Sequence, residues 1–204
     1  LPISLRERSH EFMNKLHVIL GLLHLKSYKQ LENYILKTAN NYQEEIGSLL
    51  GKIKSPVIAG FLLSKINRTS DLGHSLVISN ESQLPENNNE DQVAVLITVL
   101  GNLIENALEA LGQEPGGEIS VSLHYRHGWL HCEVNDDGPG IAPENIEHIF
   151  EKGVSSKGTE RGVGLALVKQ QVENVGGNIS VESEPGIFTQ FFVQLPWNGE
   201  RASR

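Results

Sequence analysis

The chain has 204 residues, 39% hydrophobic and 21% charged, with a net charge of −8, which allows one or two domains and describes a soluble acidic protein. Such a balance lacks the basic footprint of a nucleic-acid binder, so no nucleic acid is expected as a partner. No run of about 18 apolar residues and no basic-then-apolar leader occurs, so no direct membrane contact is expected of this stretch, and a single cysteine, Cys132, leaves no disulfide or Cys-based metal site.

Leu5, Phe12, Leu16, Ile19 and Leu23 recur at steps of seven, four, three and four. This heptad-like seam predicts an amphipathic helix from Leu5 to Lys26. Leu31, Ile35, Ala39, Tyr42, Ile46, Leu49 and Ile53 repeat the pattern, and the polar turn around Ser27 folds the two helices into an antiparallel hairpin. One hairpin cannot cover both apolar stripes. A homodimer through residues 1–54 is therefore predicted, a four-helix bundle across a two-fold axis. Because the chain opens at Leu1 almost directly into this pattern, it reads as a fragment of a longer protein.

Ser55-Pro56 breaks the second helix and sets the domain boundary at residue 54. Beyond it, the pattern predicts a helix from Val57 to Asn67, a strand from His74 to Ser79 and a polar loop from Pro85 to Asp91. A long helix follows from Gln92 to Leu111, with Val93, Leu96, Ile97, Leu100, Ile104, Ala107, Leu108 and Leu111 turned to the core. Strands are expected at Glu118–Tyr125, Trp129–Asn135, Asn178–Glu182 and Phe188–Leu195, with a helix at Gly162–Val175. The class is α+β: a helical hairpin, residues 1–54, then a sandwich of sheet on helices, residues 55–204. Cys132 alternates with His131 along its strand and is expected to be a small buried hydrophobe.

Three groups of residues suggest chemistry. On the long helix, Asn102, Glu105, Asn106 and Glu109 stand at i, i+3, i+4 and i+7, on one face. A solvated face accounts for the Glu residues. Two Asn one turn apart, poor helix-interior residues, point instead to an oxygen-lined face of the kind Mg²⁺ needs. In Asn135-Asp136-Asp137-Gly138-Pro139-Gly140-Ile141 a carboxylate precedes a backbone that a ligand can approach closely, and Asp136 can accept a hydrogen bond from an exocyclic amine. The same residues also make a good turn. Arg161-Gly162-Val163-Gly164-Leu165 opens a helix whose free N–H groups suit phosphates. Between them, Phe150 to Glu160 reads as a nucleotide lid or an ordinary polar loop.

Taken in order, these motifs resemble the GHKL ATPase superfamily of histidine kinases, gyrase-type ATPases and heat-shock chaperones, over residues from about 55 to 197. The resemblance implies a GHKL-type α/β sandwich that binds ATP with Mg²⁺. Asn106 would hold the metal, with Asn102 and Glu105 beside it, and Asp136 would read the adenine amine above Gly138, Gly140 and Ile141. Phe150 would stand at the base of the lid, Lys157 would be a mobile phosphate contact, and Gly162, Val163, Gly164 and Leu165 would cradle the phosphates. Hydrolytic relatives carry a water-activating Glu four residues before the metal-binding Asn. Here that position is Asn102, which cannot act as a general base at neutral pH, so the site looks built to serve another nucleophile.

The acceptor expected is in Arg8-Ser9-His10-Glu11-Phe12-Met13-Asn14. A neutral His10 imidazole can attack a phosphoryl group, Glu11 can orient the ring and take up its proton, and Asn14 can position a water for the reverse chemistry. His17 and His24 follow at seven-residue steps without a following acidic residue. The His-Glu-Phe-Met-Asn-Lys-Leu-His segment, with Gly-Asn-Leu-Ile-Glu-Asn-Ala-Leu-Glu-Ala, resembles the Dcu/Cit group of di- and tricarboxylate sensor kinases, and the stretch from Gly117-Glu118-Ile119 through Pro196-Trp197 looks closest to its C4-dicarboxylate (fumarate) sensors. This implies ATP-dependent phosphorylation of His10 and transfer to an Asp in a response-regulator receiver domain. It also implies a cytoplasmic place for this stretch in a protein anchored in the bacterial inner membrane.

Overall fold

The computed structural model describes residues 5–38, 43–151 and 164–198, with the backbone alone at 5–12, 14–15, 37–38 and 43–46. The chain forms two compact units, Leu1–Ser48 and Leu49–Arg204.

In the first unit, α1 (Leu5–His24) and α2 (Tyr28–Thr38) fold back on one another. The turn is made by two backbone hydrogen bonds of 3.0 Å, Ser27 N–H to Leu22 O and Lys26 N–H to Leu23 O, with Lys26 at φ 52°. This is the Schellman pairing that ends a helix, and a left-handed non-glycine residue within it costs roughly 1 kcal/mol. α2 and α3 (Gln43–Lys52) cover the two ends of the predicted second helix, and residues 39–42 between them lie outside the described residues. None of the described side chains of α1 and α2 is buried. Leu16, Ile19 and Leu31 are half-buried, whereas Leu23 and Ile35, both expected in the seam, are exposed in the single chain.

The unit division falls inside α3, ahead of residue 54, because Leu49 and Ile53 are buried in the core of the second unit. Ile53 bridges to Leu84 as a short parallel pairing. Pro56 opens α4 (Pro56–Asp71) at the first-turn position its missing N–H favours. α5 (Glu90–Leu111) starts where Asn89 accepts a hydrogen bond from Gln92 N–H at 3.2 Å, so the Asn-rich loop ends in a helix cap. α6 (Pro143–Ile146) is a single turn, and α7 runs Gly164–Asn174.

The sheet has the order β1-β2-β3-β5-β4, from β1 (Ser75–Ile78), β2 (Glu118–Arg126), β3 (Trp129–Asp136), β4 (Asn178–Glu184) and β5 (Phe188–Pro196). β1 pairs parallel with β2 and every other pair is antiparallel. Period-2 alternation sends Ile119, Val121 and Leu123, then Leu130, Cys132 and Val134, then Phe191, Val193 and Leu195, into one buried layer. The opposite face keeps polar residues such as Ser122, His131 and Gln194. Cys132 is 1% exposed, and burial pushes its thiol up to about 12, so it is an unreactive core residue.

α5 is the central core helix, in contact with α4, α7 and the sheet. Its length and apolar composition, at a mean hydropathy of 1.5, would also suffice to cross a membrane. Val99 and Leu103 are buried along with the predicted core residues, while Val93, Ile97 and Leu111 are only partly buried. Helices on both flanks widen the buried arc beyond the stripe that faces the sheet.

Candidate functional site

The alternation that buries Leu130, Cys132 and Val134 continues for one more step and places Asp136 on the same inward face, 4% exposed. On β5 the inward stripe of Leu195, Val193 and Phe191 ends on Thr189, the register partner of Asp136. Sequence reasoning overlooked Thr189. Its place in the β5 alternation, as a hydroxyl where an apolar residue belongs, is the signal that marks it.

Asp136 Oδ1 accepts the Gly138 N–H at 3.1 Å. Burial of the carboxyl outweighs that hydrogen bond and pushes its pKa up to about 6, with the neighbouring Asp137 charge adding to the rise. Asp137 turns the other way, its Oδ1 accepting the Glu118 N–H at 2.8 Å and anchoring the loop to the start of β2. The loop then docks on the β4–β5 turn. Gly186 N–H donates to Pro139 O at 2.7 Å and Ile141 N–H to Ser183 Oγ at 2.8 Å. Gly140, at φ 67°, lies so close that a Cβ there would be 2.3 Å from Glu184 O. Gly138 lies against Ala110, at 3.5 Å from a built Cβ, which brings the loop to the last turns of α5.

On α5, Asn102 Nδ2 donates to Thr98 O at 2.8 Å, and its Oδ1 lies 2.9 Å from where a Gly164 Cβ would be. Asn102 is therefore at the N-terminal end of α7. Asn106, one turn on, has a buried Nδ2 with no hydrogen-bond partner among the described residues. An orphaned buried N–H donor is costly, and a ligand rich in acceptor oxygens, such as a phosphate, relieves that cost. Glu105 does not turn to that site. Its carboxylate is held by α4, with Lys65 Nζ at 2.5 Å and Arg68 Nη2 at 3.0 Å.

Phe150 packs edge-on to Phe191, with ring centroids 6.3 Å apart, and Lys169 Nζ of α7 stands 5.6 Å from the Phe150 centroid. Leu165 packs against the core. Asp136, Gly138, Gly140, Ile141 and Phe150 thus line one end of the sandwich with α5 and the start of α7. Lys157, Gly162 and Val163 lie outside the described residues. His10, Glu11 and Asn14 are on α1, where the described part is the backbone. His74, expected at the start of a strand, is a buried loop residue whose Nδ1 accepts from Gly117 N–H and whose Nε2 donates to Gly112 O, each at 3.2 Å.

Residues 91–199 match the histidine kinase-, DNA gyrase B- and HSP90-like ATPase family. The chain belongs to that family, and its second unit is an α+β nucleotide-binding fold of the ATPase class. Residues 3–50 match the SpoOB-type sensor-kinase alpha-helical domain.

Over 201 residues the chain is 85% identical to the sensor histidine kinase DcuS of Escherichia coli strain K12, an alignment covering 98% of this chain and 37% of that protein. It is 37% identical over 200 residues to the sensor protein CitS of Bacillus subtilis strain 168, with the same two coverages, 98% and 37%. The chain spans about 37% of the length of these curated relatives. Among solved structures it is similar to full-length ShkA in complex with AMPPNP, at a TM-score of 0.57 and 26% identity over 70% of this chain and 30% of that one. It is also similar to the mycobacterial sensor histidine kinase MprB, at a TM-score of 0.54 and 25% identity over 70% of this chain and 95% of that one.

Proposed function

We propose that the chain is the kinase core of a two-component sensor histidine kinase in C4-dicarboxylate signalling, phosphorylating His10 from Mg-ATP and passing the phosphoryl group to a response-regulator Asp. Residues 1–54 form the dimerisation and phosphotransfer hairpin and residues 55–204 the ATP-binding domain. The observation that carries this reading is Asn102 beside Gly164 at the start of α7, an amide where a hydrolase would hold a general base, in a domain whose glycine loop buries the carboxylate of Asp136.

Asp136 accepts the exocyclic amine of adenine, and its Gly138 N–H contact keeps the carboxylate aimed. Asn106 suits a site for Mg-ATP: its amide oxygen would be the hard ligand that holds Mg²⁺, while its buried Nδ2, unpartnered among the described residues, would donate to a phosphate oxygen. The ion supplies charge neutralisation at the phosphates when bound. Asn106 anchors that ion on α5, and Asn102, with no titratable group, leaves water inactivated. Gly162 to Leu165 and Lys157 contact the phosphates. His10 forms the new N–P bond as the bond to ADP breaks, Glu11 takes up the imidazole proton, and Asn14 positions water for dephosphorylation of the regulator.

The homodimer reading is supported by α1 and α2, in which no described side chain is buried within a single chain. The receiver domain of a response regulator is the partner for transfer. The chain spans 37% of the length of its sensor-kinase relative, as a stretch of a longer protein would, and the resemblance to that group is what supports a cytoplasmic place for it in a protein of the bacterial inner membrane. Incubation with labelled ATP should give an acid-labile, base-stable phosphoprotein that is lost in His10→Gln while nucleotide binding persists. Labelling that survives His10→Gln overturns the assignment.

A further inference from the structure

α4 and α5 contact each other at matched steps of four residues. Phe61 faces Gly101, 3.6 Å from a built Cβ, and Lys65 faces Glu105. Each oxygen of the Glu105 carboxylate has its own cation, Lys65 on Oε1 and Arg68 on Oε2. Lys65 is withdrawn from solvent, its side chain 17% exposed, and its Nζ also stands 5.6 Å from the Phe61 ring centroid.

Glu105 immediately precedes Asn106, and consecutive helix residues are turned about 100° apart. Holding the carboxylate on the α4 side therefore sets where the next amide points. The aliphatic face of α5 cannot do this alone, because apolar burial is non-directional and tolerates small rotations about the helix axis. A carboxylate gripped at both oxygens is directional.

We infer that Lys65, Arg68 and Glu105 are positioning residues for Asn106: they set the rotation of α5 and through it the affinity for the metal–nucleotide complex. Glu105 is thus turned away from the nucleotide, and α4, which follows directly on the Ser55-Pro56 break, becomes part of the nucleotide site's framework. This rests on the nucleotide reading above and deepens it.

The test is equilibrium titration of the full chain with ATP by calorimetry, once with Mg²⁺ and once with EDTA, alongside thermal melting. In Glu105→Gln, and in the Lys65→Met/Arg68→Met pair, the enhancement of ATP affinity by Mg²⁺ should fall about tenfold, as for partners that orient a metal ligand. Affinity in EDTA should stay within about twofold. Lys65→Arg should retain the enhancement, and Glu105→Asp provides a milder change if Glu105→Gln fails to fold. An unchanged Mg²⁺ enhancement in Glu105→Gln, or an equal loss with and without Mg²⁺, overturns the inference, as does a lowered melting temperature with the enhancement intact. Absence of Mg-ATP binding by the unaltered chain overturns the nucleotide reading and this inference together, whereas binding that Glu105→Gln leaves unchanged overturns this inference alone.

Discussion

Asp136 and Thr189 are register partners at the ends of β3 and β5, 4% and 5% exposed, at positions where both strands otherwise carry apolar side chains. The Ser183 hydroxyl stands 3.4 Å from that of Thr189 and donates to Phe188 O at 2.7 Å. A small polar corner therefore interrupts the core beneath the glycine loop, and burying a carboxylate there, with no cation paired to it among the described residues, opposes folding. Such a cost is retained where a ligand makes use of it.

Asp136→Asn should separate stability from binding. The Asn oxygen can still accept the Gly138 N–H, and the buried charge is gone, so melting at pH 8 should be unchanged or raised by about 2 kcal/mol or less. Adenine-nucleotide affinity should fall roughly 10- to 100-fold, the worth of a hydrogen bond to a charged acceptor. Calorimetric titration with ATP checks this, and an undiminished affinity would remove Asp136 from the site.

The raised pKa of Asp136, from 3.8 to about 6, sets two opposite pH trends. Its folded value lies above its unfolded one, so its contribution to stability is fully present below about pH 4 and is lost as pH rises through about 6. Nucleotide affinity runs the other way, because the charged acceptor is lost as pH falls below about 6. Melting between about pH 4 and 7 and ATP titrations between about pH 5 and 8 should show the two trends, and both should vanish in Asp136→Asn.

Asn106→Ala removes a buried amide nitrogen that has no partner and introduces a better helix former, so the ligand-free protein should be as stable or slightly more stable. The Mg²⁺-dependent part of ATP affinity should be lost while Mg²⁺-free binding is retained. Chemical denaturation and titration in parallel test this. A destabilised variant with intact Mg²⁺ dependence would assign Asn106 to the fold instead of the metal.

Two glycines of positive φ should respond differently. Gly140→Ala drives a Cβ into Glu184 O and should cost roughly 2 kcal/mol or more, with a loss of nucleotide affinity as the loop lifts from the β4–β5 turn. Gly186, at φ 79°, has open space around it, so Gly186→Ala should cost only about 1 kcal/mol. Denaturant midpoints of the two variants compare them directly, and equal costs would mean that the close approach at Gly140 is relieved by the backbone.

The ordered motifs were legible in the sequence because each is a local device. Asp136 followed by glycines, the Asn pair one turn apart and Gly164 opening a helix can each be read within a few residues. So could most of the elements, since the period of apolar residues is a local property. Thr189 was not legible, because a lone strand Thr is ordinary until β5 is known to lie beside β3, more than fifty residues away in the chain. Val99 and Leu103 escaped for a similar reason: helices on both flanks of α5 bury more of it than its sheet-facing stripe.

Glu105 shows most clearly where local reading stops. Its spacing from Asn102 and Asn106 grouped it with the ligand face, and nothing in the helix itself distinguishes a carboxylate turned to a nucleotide from one turned to a neighbouring helix. The class of site was readable from residue types whose chemistry is intrinsic and whose order along the chain is unambiguous. That Glu105 is held by Lys65 and Arg68 of α4 came from the fold alone, because the partner of a charge is chosen by packing between distant segments.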